Sequence, residues 1–280
     1  MTYMMRESGG GKGGNPMAIL GIDHIVVIGE DLDTLIARFQ FLGFTVTPGG
    51  THPGAMTHNA LIPFQDGSYV ELIAFQGDER SGRRADLLAR GGGMIEYMLT
   101  SNAIEMDLAQ ARHHRLPYGS PTPGSRVRPD GVEVAWLDGP VTDIGSSLPL
   151  LIQDVTARGS RVPSGEARQH PNGATGFDRL VIAVTSIDNA SLLYQHLLDD
   201  DADTARLTRD FVEATFLAGP HRLTLRQPLD FGPLQDRIRQ LGDGPYALEL
   251  TGTQARSFDP ADTGGLNLSI AMPGDNPASG

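Results

Sequence analysis

Two side chains that could bind a metal ion lie in the middle of apolar, strand-like runs. His24 is central in the run 21–28, and Glu71 is central in the run 68–75. Because strand side chains alternate between two faces, each polar group shares its face with apolar neighbours, where burial is costly without a partner. An imidazole and a carboxylate on neighbouring strands suit a divalent ion such as zinc, iron, manganese or nickel. The alternative is a buried hydrogen-bonded pair without a metal.

Four further residues could supply proton transfer and substrate contacts. His58, at the mouth of a strand-like run, could act as a general acid or base, or could simply lie in a turn. His52, on a predicted loop, could close over the same site. Trp136, the only tryptophan, could stack a substrate or belong to the core, and Arg128 could hold a carboxylate or enolate oxygen.

A recurring order of elements, βαβββ, positions these residues. In the first copy, the strand at 21–28 precedes an amphipathic helix at 31–41 and three extended runs that end at Phe75. A second copy runs from Met94 to Ile152. Repetition of a unit of this size indicates duplicated modules, since one unit leaves a sheet face uncovered.

Several motifs of the first copy resemble the vicinal oxygen chelate superfamily, and in particular its glyoxalase-like domain branch. The resemblance is close over residues 20–155 and weaker to about residue 230. It rests on these segments: Asp23-His24-Ile25-Val26-Val27, Asp31-Leu32-Asp33, Leu42-Gly43-Phe44, Thr57-His58-Asn59-Ala60 and Tyr69-Val70-Glu71-Leu72-Ile73.

The resemblance implies an α+β fold, in which repeated βαβββ modules form cupped mixed β-sheets with helices on the outer face. It also implies a divalent metal ion in the cup, on ligands from the first and last strands of the modules. His24 and Glu71 occupy these positions in the first module. Glu96 falls where His24 falls when the helix starts are matched, and is predicted as a third ligand or a proton carrier. The last strand of the second module, 148–152, offers no ligand, which departs from the pattern.

The chain divides into four predicted regions. Residues 1–16 form a glycine-rich tail that should be disordered, and 17–165 form the paired first and second modules. Residues 166–273 form a third module and a truncated fourth, and 274–280 form a flexible tail. The ligand positions of the third module hold Arg179 and approximately Thr224, so this module is predicted to bind no metal.

Composition limits the classes of partner. The chain has 280 residues and a net charge of -12, which disfavours nucleic acid. It contains no cysteine, so any metal must be held by nitrogen and oxygen. An apolar run of membrane-spanning length and a signal pattern are not found, so no membrane partner and a cytoplasmic location are expected.

Two classes of function follow for a small-molecule ligand. The first is a metal-dependent lyase, isomerase or dioxygenase, in which the metal stabilises a developing enolate and His58 or Glu96 moves a proton. The second is a metal-free binding protein, similar to the antibiotic-binding members of the superfamily of the bleomycin-resistance type, with an apolar cup. Modules could pair within one chain or across a homodimer, and both arrangements stay open.

Overall fold

The computed structural model describes residues 19–272 except 53, 55 and 144, and both predicted tails lie outside this range. Eight strands of the first two modules surround one lumen. They are β1 (Ile19–Ile28), β2 (Thr47–His52), β3 (Thr57–Pro63), β4 (Tyr69–Phe75), β5 (Gly93–Ser101), β6 (Thr122–Val127), β7 (Glu133–Gly139) and β8 (Leu150–Asp154).

These strands form a closed barrel in the order β1-β4-β3-β2-β6-β7-β8-β5. β1 pairs in parallel with β4 and antiparallel with β5, so that His24 lies opposite Tyr69 on one side and Met98 on the other. The edges of the two modules meet where Thr51 of β2 pairs with Val127 of β6. The cupped mixed sheet predicted from the resemblance is therefore confirmed, and the structure adds that the cup closes.

Four helices accompany the barrel: α1 (Leu32–Phe41), α2 (Gly82–Ala89), α3 (Ile104–His113) and the single turn α4 (Arg158–Arg161). The Asp31 side chain caps α1 by accepting a hydrogen bond from the Thr34 amide at 2.7 Å. α1 and α3 pack outside the barrel, as their apolar stripes require.

Helix α2 lies at one end of the barrel lumen. Its Leu87 and Leu88 pack against Val26, Ile28 and Ile73. These three strand residues alternate with outward-facing neighbours and therefore share the inner face with His24 and Glu71. The segment that joins the two modules thus closes the end of the lumen.

The second half of the described chain contains a seven-stranded sheet in the order β10-β11-β12-β9-β13-β15-β14. Its elements are β9 (Ala174–Ala183), α5 (Ile187–Leu198), β10 (Thr204–Leu207), β11 (Phe211–Ala218), β12 (His221–Pro228), α6 (Pro233–Leu241), β13 (Gly244–Gly252), β14 (Arg256–Ser257), α7 (Pro260–Thr263) and β15 (Asn267–Ala271). Within the ranges described, no helix combines the length and apolar character needed to cross a membrane.

A shared core joins the barrel to this sheet. The hydroxyl groups of Tyr97 from β5 and Tyr194 from α5 contact each other. Both also donate to the Ser147 carbonyl, at 3.1 and 2.8 Å. Burial raises the pKa of both tyrosines, so both remain neutral hydrogen-bonding groups at physiological pH.

Candidate active site

A cavity of about 290 Å³ lies inside the barrel. Four of the residues singled out from the sequence line it: His24, His52, Glu71 and Trp136. They come from β1, β2, β4 and β7, so both modules contribute. Strand alternation explains the placement, because each of these side chains occupies an inward position of its strand.

The Glu71 carboxylate lies between two imidazoles. Its Oε2 is 3.7 Å from His24 Nε2, and its Oε1 is 3.6 Å from His52 Nε2. Asn59 donates a hydrogen bond to Oε1 at 2.6 Å. Burial alone would raise the pKa of Glu71, but His52, His24 and Arg84, with the bond from Asn59, lower it to about 2. Glu71 is therefore a carboxylate across the physiological range.

The orientation of His24 is fixed from behind. Its Nδ1 lies 2.7 Å from Asp23 Oδ1, and its ring stacks on Tyr69 with centroids 4.5 Å apart. A carboxylate only accepts, so Nδ1 donates the hydrogen of this bond, while Nε2 faces Glu71 and the cavity. Burial would raise the pKa of Asp23, but Arg161 and His24 hold it well below its usual value. This carboxylate–imidazole arrangement is the one that commonly orients a metal-binding histidine.

His52 faces the same space from β2. Its Nδ1 lies 3.1 Å from Thr57 Oγ1, and its ring meets Trp136 edge-on at 6.2 Å. Burial lowers the pKa of His52 below its ordinary value, although Glu71 opposes the shift. His52 is consequently a neutral imidazole near pH 7, able to act as a ligand or as a hydrogen-bonding group.

Arginine side chains give the cavity a cationic wall, which sequence reasoning missed. Arg126 is only 3% exposed, yet it donates a hydrogen bond from Nη2 to a neutral group, the Arg161 carbonyl, at 2.5 Å. Within the described part of the chain, its buried Nε has no hydrogen-bond partner. Burial also lowers the pKa of Arg126. A buried guanidinium without an ion pair is a strong candidate for binding an anionic ligand.

Asp138 is a second residue that sequence reasoning missed. It lines the cavity and receives a hydrogen bond from the Trp136 side chain, while its Oδ1 has no partner among the described residues. Burial raises the pKa of Asp138 to about 6. The available signal was period-two alternation, since a residue two positions after Trp136 must share its face.

Gly124 allows this pair to lie close to β6. A Cβ atom at this position would stand 2.3 Å from Trp136 Nε1 and 2.8 Å from Asp138 Oδ2. The absence of a side chain on β6 therefore lets the indole and the carboxylate pack directly over the backbone. Proline and glycine in this part of the chain are typical of a turn, so neither Gly124 nor Arg126 was predicted as a wall of the cavity.

Three other residues that the sequence suggested do not line the cavity. His58 alternates with Asn59 on β3 and therefore faces outward. Both carboxylate oxygens of Glu96 are bound by α2, from Arg83 Nη1 and Arg84 Nε, each at 2.9 Å. Arg128 instead pairs with Asp130 at 2.7 Å.

The donor types in the cavity fit a divalent cation. Two imidazoles and one carboxylate are ligands for zinc, iron, manganese and nickel, and Asp23 and Asn59 support them from behind. In the described residues, however, no three His, Asp or Glu side chains are grouped closely enough to be recognised as a metal site. The chemistry of the donors thus supports the metal prediction, while their spacing does not itself define a centre.

The barrel of two βαβββ modules, with its ionisable inner face, defines a protein of the vicinal oxygen chelate superfamily. The model of the glyoxalase-like domain family matches residues 22–198, and the chain belongs to that family. No curated protein matches the sequence.

Solved structures share the architecture at low identity. A hypothetical protein from Staphylococcus aureus has 12% identity and a TM-score of 0.70, covering 90% of this chain and 98% of its own. A mutant of 4-hydroxymandelate synthase from Streptomyces coelicolor has 12% identity and a TM-score of 0.65, over 92% of this chain and 93% of its own. A fusion protein of a xylose isomerase-like TIM barrel and 4-hydroxyphenylpyruvate dioxygenase has 15% identity and a TM-score of 0.52, over 86% and 37%. At these identities the likeness is one of fold.

Proposed function

We propose that this protein is an enzyme that moves a proton on a small carboxylate-bearing or enolisable substrate bound inside the barrel, as lyases and isomerases do. One observation carries the proposal: Arg126, which forms no ion pair among the described residues, and the Glu71–imidazole group line one cavity of about 290 Å³. That volume is close to the lower end of the usual range for small-molecule sites. The substrate is accordingly small.

Arg126 would hold the anionic oxygens of the substrate. Its guanidinium is buried away from water, and no ion pair in the described chain offsets the energy of that desolvation. A carboxylate or enolate oxygen would supply the missing charge-assisted hydrogen bonds. Trp136, across the cavity, offers an apolar face to the rest of the molecule.

Asp138 would act as the general base. Its unpartnered Oδ1 can accept a proton from a carbon next to a carbonyl or carboxylate group, and can return it to a neighbouring atom. With a pKa raised to about 6 by burial, Asp138 is mainly ionised at pH 7, yet basic enough to hold the proton it takes. Activity should therefore rise with pH through about 6 as Asp138 loses its proton.

His24, His52 and Glu71 would hold a divalent metal ion. Such an ion, when bound, supplies Lewis-acid stabilisation to the oxygen of a developing enolate. Asp23 keeps the proton of His24 on Nδ1 and so leaves Nε2 free to bind it. A dioxygenase activity would require a redox-active metal at the same residues.

The second candidate is a metal-free binding protein. It is favoured by the observation that both imidazoles face Glu71 while no grouped metal site is recognised in the described ranges. The arginines of the cavity make the ligand of such a protein an anion, in contrast to the apolar cup expected for this class.

Metal content separates the two candidates. The protein is purified without chelators and analysed for divalent metals, alongside His24→Ala, Glu71→Gln and the control His58→Ala. The enzyme proposal expects about one equivalent in the wild type and the control, and loss of the metal in the other two variants. Metal-free wild-type protein, or metal that survives both substitutions, would refute the ligand assignment.

Proton transfer is tested directly by hydrogen–deuterium exchange. A panel of small 2-oxo and 3-oxo carboxylates is incubated with the protein in deuterium oxide and followed by proton NMR. Exchange at a carbon next to the carbonyl should disappear in Asp138→Asn and weaken in Arg126→Gln, while the control Arg128→Gln exchanges like the wild type. Equal exchange in all four proteins would contradict the assigned roles.

A further inference from the structure

A second cavity, of about 620 Å³, lies between the barrel and the seven-stranded sheet. Its walls are the turn Gly91–Gly93 before β5, the helix α6, and the segment Gly264–Asn267 before and at the start of β15. None of its lining residues also lines the barrel cavity. The two spaces can therefore bind different molecules.

Arg237 of α6 is the cation of this cavity. Its Nη1 donates to the Gly242 carbonyl at 2.9 Å, and its Nη2 donates to the Met94 carbonyl at 3.3 Å. Both acceptors are neutral. For the residues with described positions, no ion pair joins Arg237 to a carboxylate. The hydrogen bonds of this partly buried guanidinium therefore go to backbone oxygens.

Two acidic residues, one in α6 and one just after it, form contacts elsewhere. Asp236, which also lines the cavity, pairs with Arg239 at 3.5 Å. Asp243 accepts hydrogen bonds from the Thr185 amide and hydroxyl at 3.0 and 2.6 Å. Burial lowers the pKa of Arg237 to about 10; Asp243 opposes this shift and Arg83 adds to it. The local environment thus leaves a positive charge only partly compensated.

We propose that this cavity is a binding site for an organic anion, whose carboxylate or phosphate group pairs with Arg237 and whose apolar body packs along Met94, Leu266 and Tyr246. The volume suits a small organic molecule rather than a lone inorganic ion. An oxyanion would supply Arg237 with the charged acceptor it lacks. The inference does not rest on the proposed function, because the cavities share no lining residue.

Calorimetric titration of the full chain tests the site. The probes are phenyl phosphate and benzoate, which share an aromatic body and differ in the anionic group, together with inorganic phosphate. Saturable binding of one aromatic anion is expected. Whether phenyl phosphate or benzoate binds more tightly identifies whether the site prefers a phosphate or a carboxylate group. Inorganic phosphate should bind more weakly, because it leaves the apolar wall uncovered.

Two arginines of one helix provide the variant and its control. Arg237→Gln should weaken binding by about tenfold or more, as expected for loss of a charge-assisted hydrogen bond. Arg239→Gln, on the exposed side of α6, should bind like the wild type. Binding that Arg126→Gln removes belongs to the barrel cavity. The proposal requires binding that Arg126→Gln preserves and Arg237→Gln weakens by about tenfold or more.

Gln240→Glu is a second variant that tests the site if Arg237→Gln does not fold. It adds a carboxylate to the same wall and leaves the hydrogen bonds of Arg237 in place, while it removes only the bond that Gln240 Nε2 donates to the Arg90 carbonyl. Repulsion should weaken anion binding several-fold. The proposal is overturned if none of the three anions gives saturable heat, or if binding is unchanged in Gln240→Glu and in folded Arg237→Gln.

Discussion

Replacement of Asp23 by asparagine should destabilise the barrel by about 3 kcal/mol at pH 7. Asp23 is fully buried and accepts from Arg161 at 3.0 and 3.1 Å and from Arg158 at 2.5 Å. It also bonds to His24 Nδ1 at 2.7 Å and to Thr100 Oγ1 at 3.0 Å. Asparagine keeps the shape of the side chain but removes its negative charge. Its amide NH₂ group would also face the N–H groups that the carboxylate of Asp23 now accepts from.

The magnitude follows from what the change leaves behind. Removal of one partner from a buried ion pair costs about 3–5 kcal/mol, because the other charge stays buried. Arg161, only 2% exposed, retains its pair with Asp154 at 2.5 Å, which places the cost near the lower limit. Such a loss is a large fraction of a typical total stability of about 5–15 kcal/mol.

Urea unfolding followed by tryptophan fluorescence measures the effect, because the single tryptophan lies in this barrel. The control is Asp130→Asn, which alters an exposed pair with Arg128 and should cost less than about 1 kcal/mol. The pKa of Asp23 is depressed in the folded state, so its contribution is complete above the unfolded value and is lost as pH falls through the folded value. The difference between wild type and Asp23→Asn should shrink in strong acid.

A difference of less than about 1 kcal/mol at pH 7, or one that stays constant down to strong acid, would refute this reasoning. The first result would mean that Asp154 alone compensates Arg161. The second would mean that the cost arises from packing rather than from the charge of Asp23.

Three shorter predictions concern the barrel. In urea unfolding, Gly50→Ala should lower the free energy of unfolding by about 2 kcal/mol more than Gly54→Ala does. Both glycines have a positive φ, but a Cβ at Gly50 would lie 2.0 Å from Val127 O, whereas a Cβ at Gly54 would meet open space. Equal losses in the two variants would contradict this. Leu88→Ala should cost about 2–5 kcal/mol by leaving a void where α2 closes the lumen, and a loss below about 1 kcal/mol would show that α2 is not packed there. Folding depresses the pKa of Glu71 from 4.5 to about 2, so the wild type should lose stability as the pH falls from about 4.5 to about 2. Glu71→Gln should lose less over the same range, as measured by urea midpoints at several pH values. Parallel declines of the two proteins would show that this is wrong.

The repeated order of elements could be predicted because it depends on local patterns. The helices around Asp31–Phe41, Ile187–Leu198 and Pro233–Leu241 have apolar stripes or capping signals, and the strands alternate. β6 could not, because Thr122–Val127 contains proline and glycine and is typical of a turn. It forms a strand because β2 and β7 pair with it.

The sequence by itself determined that His24 and Glu71 lie mid-strand in one module and which neighbours share their faces, since alternation is a property of the extended backbone. Only the tertiary structure decided which groups meet them. Arg126 and Asp138 come from the second module, and the pairing that brings them near is set by contacts distant in the chain. Likewise, α2 turns Arg84 toward Glu96, because closure of the lumen by Leu87 and Leu88 fixes the helix there. Local spacing specifies which face a side chain takes, whereas long-range packing specifies its partners.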